Sequence, residues 1–133
     1  MDAHVNTKIS LEQKVLDIFN RHIAAFFAGD LDAVLKDFDT DSVVITQAGV
    51  FQGPAQIRQV FKGLLDEFGV IDQGDSPGFT FEIVQPCQDT LFITWKAVSK
   101  RHVFPFGTDT FVIRGNSIHR QTFSYAVPVP KNG

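Results

Sequence analysis

Leu11, Val15, Ile18, Phe19, Ile23, Phe26 and Phe27 recur at spacings of three and four residues, which writes one apolar face of a helix. Ser10 followed three residues later by Gln13 is a capping-box pattern, so the helix is expected to start there. It should run to Ala28 and stop at Gly29, a residue suited to a left-handed cap. Asp30 then caps a short second helix over Leu31–Phe38, with Leu31, Val34, Leu35 and Phe38 inward. Asp39-Thr40-Asp41 is a turn, and the β-branched run Ser42–Gln47 is a strand. Gly53-Pro54 opens a third helix, where Ile57, Val60, Phe61, Leu64, Leu65 and Phe68 keep helical spacing as far as Gly69. Residues 70–78 form a polar loop.

Beyond that loop the period changes from helical to alternating. Phe79–Val84, Leu91–Lys100, Val103–Arg114 and Ile118–Val127 read as strands separated by turn residues at Pro86–Asp89, Lys100–His102 and Gly115-Asn116-Ser117. Helices first and antiparallel strands second make an α+β domain whose sheet is covered on one face by helices. The single domain spans residues 11–127. Residues 1–10 are expected to be a flexible N-terminus and residues 128–133 a loose tail, because Pro128 and Pro130 cannot donate to a ladder.

Alternation also sorts side chains by face. Near the end of Val103–Arg114 the buried parity holds Asp109, Phe111 and Ile113; a bulge at Pro105 or Gly107 would shift the earlier part. Ile93, Trp95 and Ala97 share a face, as do His119, Gln121, Phe123 and Tyr125. Thr94, Lys96, Thr110, Val112 and Thr122 fall on the outer face.

Composition narrows the function classes. With 44% apolar and 20% charged residues over 133 positions, the chain suits an ordinary globular domain. There are 14 Phe against one Trp and one Tyr, so the core is bulky and poor in polar handles. A net charge of −3, with no basic face beyond Lys96, Lys100 and Arg101, argues against a nucleic-acid partner. Cys87 is alone, so no internal disulfide can form. No segment approaches a membrane span, and Met1–Ser10 has no apolar signal-peptide core. A cytoplasmic setting follows by default.

The candidate chemistry begins at His22, which sits one turn after Ile18 and one turn before Phe26, on the apolar face. A titratable ring carried inward needs a partner or must stay neutral. The inward set is His22, Trp95, Asp109, Gln121, Phe123 and Tyr125, with His119 nearer one end. A direct His22–Asp109 pair would make an acid–base unit, the carboxylate orienting the imidazole. The same two groups would otherwise satisfy one another, or backbone groups, in the core. His22, His119 and Asp109 offer the types of a two-histidine, one-carboxylate metal site but no diagnostic spacing, so neither metal nor cofactor is expected. His4 and His102 are expected to face solvent. The aspartates at 30, 32, 37, 39 and 41 read as caps, turns and a wet helix face.

AGDLDAVLKDF, then DSVVI, then FQGPAQIRQVF, in this element order, resembles the nuclear transport factor 2-like superfamily, and within it small SnoaL-like bacterial proteins. The resemblance implies a cystatin-like cone, a curved mixed sheet wrapped around N-terminal helices, with one deep pocket and often a homodimer through the outer sheet face. It includes ketosteroid isomerase, scytalone dehydratase and polyketide cyclases beside non-catalytic modules. His22 falls at the family's helix phenol position, Asp109 at its strand carboxyl, and Thr46, beside Gln47, where a base would stand. Threonine cannot take a proton from carbon near neutral pH, which argues against conventional isomerase chemistry. The pocket is expected to be lined by Phe26, Thr46, Phe61, Trp95, Phe111, Gln121, Phe123 and Tyr125. It would take a small apolar molecule with a carbonyl or hydroxyl. Enzyme, ligand-binding protein and association module remain the three readings.

Overall fold

The computed structural model describes residues 3–72 and 78–132, with side chains from Leu11 onward. Its elements run α1 (Ala3–Phe27), α2 (Leu31–Leu35), β1 (Phe38–Thr46), β2 (Gly49–Gln52), α3 (Gly53–Phe68), β3 (Phe79–Cys87), β4 (Thr90–Val98), β5 (His102–Arg114), β6 (Ser117–Tyr125) and β7 (Val129–Pro130). The strands form one sheet in the order β2-β1-β6-β5-β4-β3, with β7 on β5. Among the described residues, only β1–β6 is a parallel pairing; the others are antiparallel. Helices and a mixed sheet in this order make the expected α+β architecture, with α3 over β1 and β2 and α1 against β3 and β4. The stripe of α1 supplies Val15, Ile18, Phe19 and Phe26 to the core, meeting Phe61 of α3 and Phe111 of β5. Leu11, at the end of that stripe, is exposed.

Several boundaries differ from the expected ones. α1 begins at Ala3, not Ser10. Residues 3–9 contain neither glycine nor proline, so nothing stops the helix from running through the capping pattern. α2 ends at Leu35 because Phe38 is drawn into β1, opposite Ile118 of β6. The Asp39–Asp41 turn is thereby a bulge inside β1, closed by the Ser42 hydroxyl, which accepts from the Asp39 N–H at 2.9 Å and donates to the Ile118 carbonyl at 2.6 Å. β2 had no expected counterpart; it forms on a tight turn after Thr46, with Gly49 at φ +140°. The polar loop at 70–78 lies in part outside the described residues.

The tail is not loose throughout. Val129 and Pro130 pair with Val103 and His102, and the Lys131 N–H donates to the Arg101 carbonyl at 2.8 Å. β5 outruns β6 at this end, leaving ladder groups that the returning chain takes up. Pro130 is tolerated because it closes a two-residue strand.

The bulge in β5 decides which side chains face inward. Trp95 pairs with Gly107 and Ala97 with Phe104, so Pro105 and Phe106 together oppose Lys96. The extra residue reverses the parity, placing both Phe104 and Gly107 inside. Gly107 is required there: a Cβ at this position would lie 2.3 Å from the Trp95 ring.

Candidate functional site

Parity on three adjacent strands brings Trp95 (β4), Asp109 (β5) and Gln121 (β6) to one inward patch. The Trp95 indole N–H donates to Asp109 Oδ1 at 2.7 Å, and the Gln121 amide donates to Oδ2 at 3.0 Å. Burial pushes the Asp109 carboxyl up to about 6, and these two hydrogen bonds pull it only part of the way back. Gln121 Oε1 is buried with no partner among the described residues, so the patch retains an open acceptor.

His22 approaches the same cavity from α1. Its ring stands edge-on to Phe38, Phe61 and Phe111, with centroids 5.7, 5.5 and 5.9 Å away. The expected direct His22–Asp109 pair is not formed. The carboxylate nearest His22 is that of Asp37, with Oδ2 3.4 Å from Nδ1 in a geometry that makes no hydrogen bond. Asp37 is almost fully buried, and its Oδ1 accepts from Arg21 Nε at 2.7 Å. The five-residue α2 folds the chain back against α1, which is why Asp37 meets Arg21 and His22 instead of solvent. Its place in a run of aspartates hid this, since only the return of the chain separates it from its wet neighbours.

His22, Phe26, Phe61, Trp95, Asp109, Phe111, Gln121, Phe123 and Tyr125 all line this inner cavity. It is small, with about 60 Å³ open to the centre of a water molecule, room for a few waters. Thr46 is not part of it. Its hydroxyl accepts from the Ala48 N–H at 2.9 Å, and the residue lines a second, outer space of about 340 Å³. Leu64, Phe104, Phe123 and Tyr125 border both spaces, so the two adjoin, and we call the larger one the vestibule. His119 is buried in β6 but lines neither. Among the described residues, no three histidine, cysteine or carboxylate side chains converge as a metal site.

The vestibule has its own polar group. Glu67 Oε2 accepts from the Ser99 hydroxyl at 2.5 Å and lies 3.0 Å from His102 Nδ1. Partial burial pushes the Glu67 carboxyl upward, but the hydrogen bonds from Ser99 and His102 and the charges of His102 and Arg101 outweigh it and hold it below the usual range. His102, expected in a solvent-facing turn, is instead the first residue of β5, half-buried, and it lines the vestibule. Neither Ser99 nor Glu67 carried a local signal, because the cluster joins α3 to the β4–β5 turn across more than thirty residues. His4 lies outside the described side chains.

No protein-family model matches the chain, and no curated protein sequence matches it. Solved structures do. An NTF-2 like protein of unknown function from Burkholderia xenovorans LB400 superposes with a TM-score of 0.67 at 17% identity, over 92% of this chain and 91% of that one. A protein with a ketosteroid isomerase-like fold from Catenulispora acidiphila, in complex with trimethylamine, gives 0.63 at 14% identity, over 83% and 85%. A de novo designed protein with a curved β-sheet gives 0.70 at 10% identity, over 86% of each chain. At such identities the likeness concerns the path of the chain and not its chemistry. The element order, the single parallel β1–β6 contact and these superpositions together show that this chain has the nuclear transport factor 2-like fold.

Proposed function

We propose that the inner cavity binds the polar end of a small, largely apolar molecule bearing a hydroxyl or carbonyl group, with Asp109 as its contact. One observation carries this reading: a carboxyl with a pKa raised to about 6, buried among aromatic rings at the end of a cavity. Such a group changes protonation near neutrality, so it accepts from a hydroxyl when ionised and donates to a carbonyl when protonated. His22, with Asp37 behind it, faces the same space and would supply a second hydrogen-bonding group. That set suits proton transfer in an isomerisation, elimination or cyclisation.

A second reading, ligand binding without turnover, is favoured by the position of Thr46. Its hydroxyl is engaged with Ala48 and it lies outside the inner cavity, so it offers no base there. Cyclopentanol and cyclopentanone are probes small enough for the space, and Trp95, the sole tryptophan, reports their entry through its fluorescence. Saturable changes in Trp95 emission, weakened about tenfold or more in Asp109→Asn, are expected. No response to either probe would reject the cavity as a binding site. Deuterium exchange into the α positions of cyclopentanone, read by NMR, separates the two readings: exchange lost in Asp109→Asn means proton transfer, and binding without exchange means a binder.

We further propose that two copies pair through the outer sheet face, where Ile83 and Phe92 are exposed beside Thr110 and Val112. A light-scattering mass of 14.8 kDa at high concentration would reject this.

A further inference from the structure

The vestibule holds most of the ligand-sized space in this cone, about 340 Å³ against about 60 Å³ inside. Volumes of a few hundred cubic ångströms are typical of small-molecule sites, whereas the inner cavity alone would take only a fragment. Its walls are apolar where Phe51, Val60, Leu64, Phe104 and Phe123 line it. Its polar groups are more telling. The Gln47 amide is spent on the backbone of Tyr125 through both its atoms, at 3.0 Å each. Thr46 is spent on Ala48. Glu67 Oε2 is spent on Ser99 and His102, and Oε1 lies 3.9 Å from Arg101 Nη2. Besides that Oε1, what remains to meet a ligand is His102 Nε2 together with the Tyr125 hydroxyl, neither of which has a hydrogen-bond partner among the described residues.

The direction of the His102 contact follows from its other nitrogen. A carboxylate is acceptor-only when ionised, so when the His102 ring is neutral Glu67 holds it in the tautomer with the proton on Nδ1. Nε2 is then a lone pair directed away from Glu67. Ser99 shares that carboxylate oxygen: its hydroxyl donates to Oε2, and it also accepts from the His102 N–H at 3.0 Å. Lys131 Nζ donates to the Ser99 carbonyl at 2.9 Å, so the paired tail holds the same turn. A histidine whose ring is held by Glu67 and whose backbone is held by Ser99, beside a ligand-sized space, is a built acceptor.

We infer that the vestibule is a second binding subsite, in which His102, positioned by Glu67 and Ser99, accepts a hydrogen bond from a hydroxyl on an otherwise apolar ligand. This deepens the cone-binding reading, but it is tested on different residues.

The probes are 4-ethylphenol, which can donate, and 4-ethylanisole, which has nearly the same shape and cannot. Wild-type protein should bind the phenol about tenfold more tightly, the worth of one hydrogen bond. His102→Phe should erase that preference, and Asp109→Asn should keep it. Should His102→Phe fail to fold, 15N NMR of the wild-type imidazoles replaces it. The Nδ1–H tautomer is expected at His102, with its Nε2 resonance moved by the phenol and not by the ether, while His4, His22 and His119 stay unmoved. Equal binding of both probes, binding of neither, or a preference that survives His102→Phe would overturn the proposal. A preference erased by Asp109→Asn instead would place the hydroxyl in the inner cavity, overturning the vestibule subsite while leaving the inner-cavity reading intact.

Discussion

Asp109 and Glu67 are each a carboxylate contacted by two neighbouring polar side chains, yet they move in opposite directions. Asp109, buried against the inner cavity, is raised to about 6 although Trp95 and Gln121 both donate to it. Glu67, with about a fifth of its side chain exposed, is lowered. The number of hydrogen bonds is the same. What differs is the water left around the group and the charge of its partners. Trp95 and Gln121 are neutral and cannot repay the lost hydration of an ion. Glu67 keeps part of its hydration and has His102 and Arg101 beside it. The same motif thus yields a group poised to exchange protons inside and an orienting group outside that is ionised near neutral pH.

The largest effect should come from breaking the inner carboxylate. Its folded-state pKa is above the usual value of 3.8, so the folded protein holds the proton more tightly than the unfolded chain. The associated stability is fully present below pH ~3.8 and is lost as pH rises through about 6. At about 1.4 kcal/mol per pH unit this amounts to roughly 3 kcal/mol. Urea denaturation from pH 4 to pH 8 should show that decline, and Asp109→Asn should flatten it by a similar amount. An unchanged slope in the variant would mean that Asp109 is solvated.

Next in size is Gly107→Ala. The new methyl has no room beside the indole, so a cost of about 1–3 kcal/mol is expected. Trp95 should also swing off Asp109. Red-shifted Trp95 emission accompanied by a higher Asp109 midpoint, from loss of the indole hydrogen bond, is the signature; loss of stability without it would place the strain elsewhere.

At the vestibule, Ser99→Ala removes the hydrogen bond donated to Glu67 and the one accepted from the His102 N–H, and should cost about 1–2 kcal/mol. Carboxylate 13C titration should show the Glu67 midpoint rising toward 4.5, in the same direction in which losing Trp95 or Gln121 as a partner would push Asp109. The smallest stability effect belongs to Glu67→Gln. Because Glu67 lies below its usual 4.5, the stability it contributes is present above pH ~4.5 and fades as pH falls through its folded value. The group is partly exposed, so chemical denaturation at pH 7 should change by well under 1 kcal/mol.

The inner site was largely legible. Strand parity alone put Trp95, Asp109 and Gln121 on one face, because neighbouring strands in register present every second side chain together. The β5 bulge was also foreseeable from Pro105 and Gly107. The partner of His22 was not. Asp109 is on the right face, but whether two inward groups touch depends on depth along the cone and on intervening rings such as Phe111. Asp37 reaches His22 only because α2 stops after five residues and the chain turns back.

By itself, then, the sequence determined the periodicities, the order of helices and strands, and which residues point inward, since all of these are local consequences of backbone geometry. The tertiary structure decided which inward groups meet, how much water each keeps, and where the usable space lies. Those depend on contacts between residues far apart in the chain: α3 with the β4–β5 turn, the tail with β5, and Asp37 with α1. Burial sets the sign of a carboxylate's shift, and burial belongs to the assembled cone.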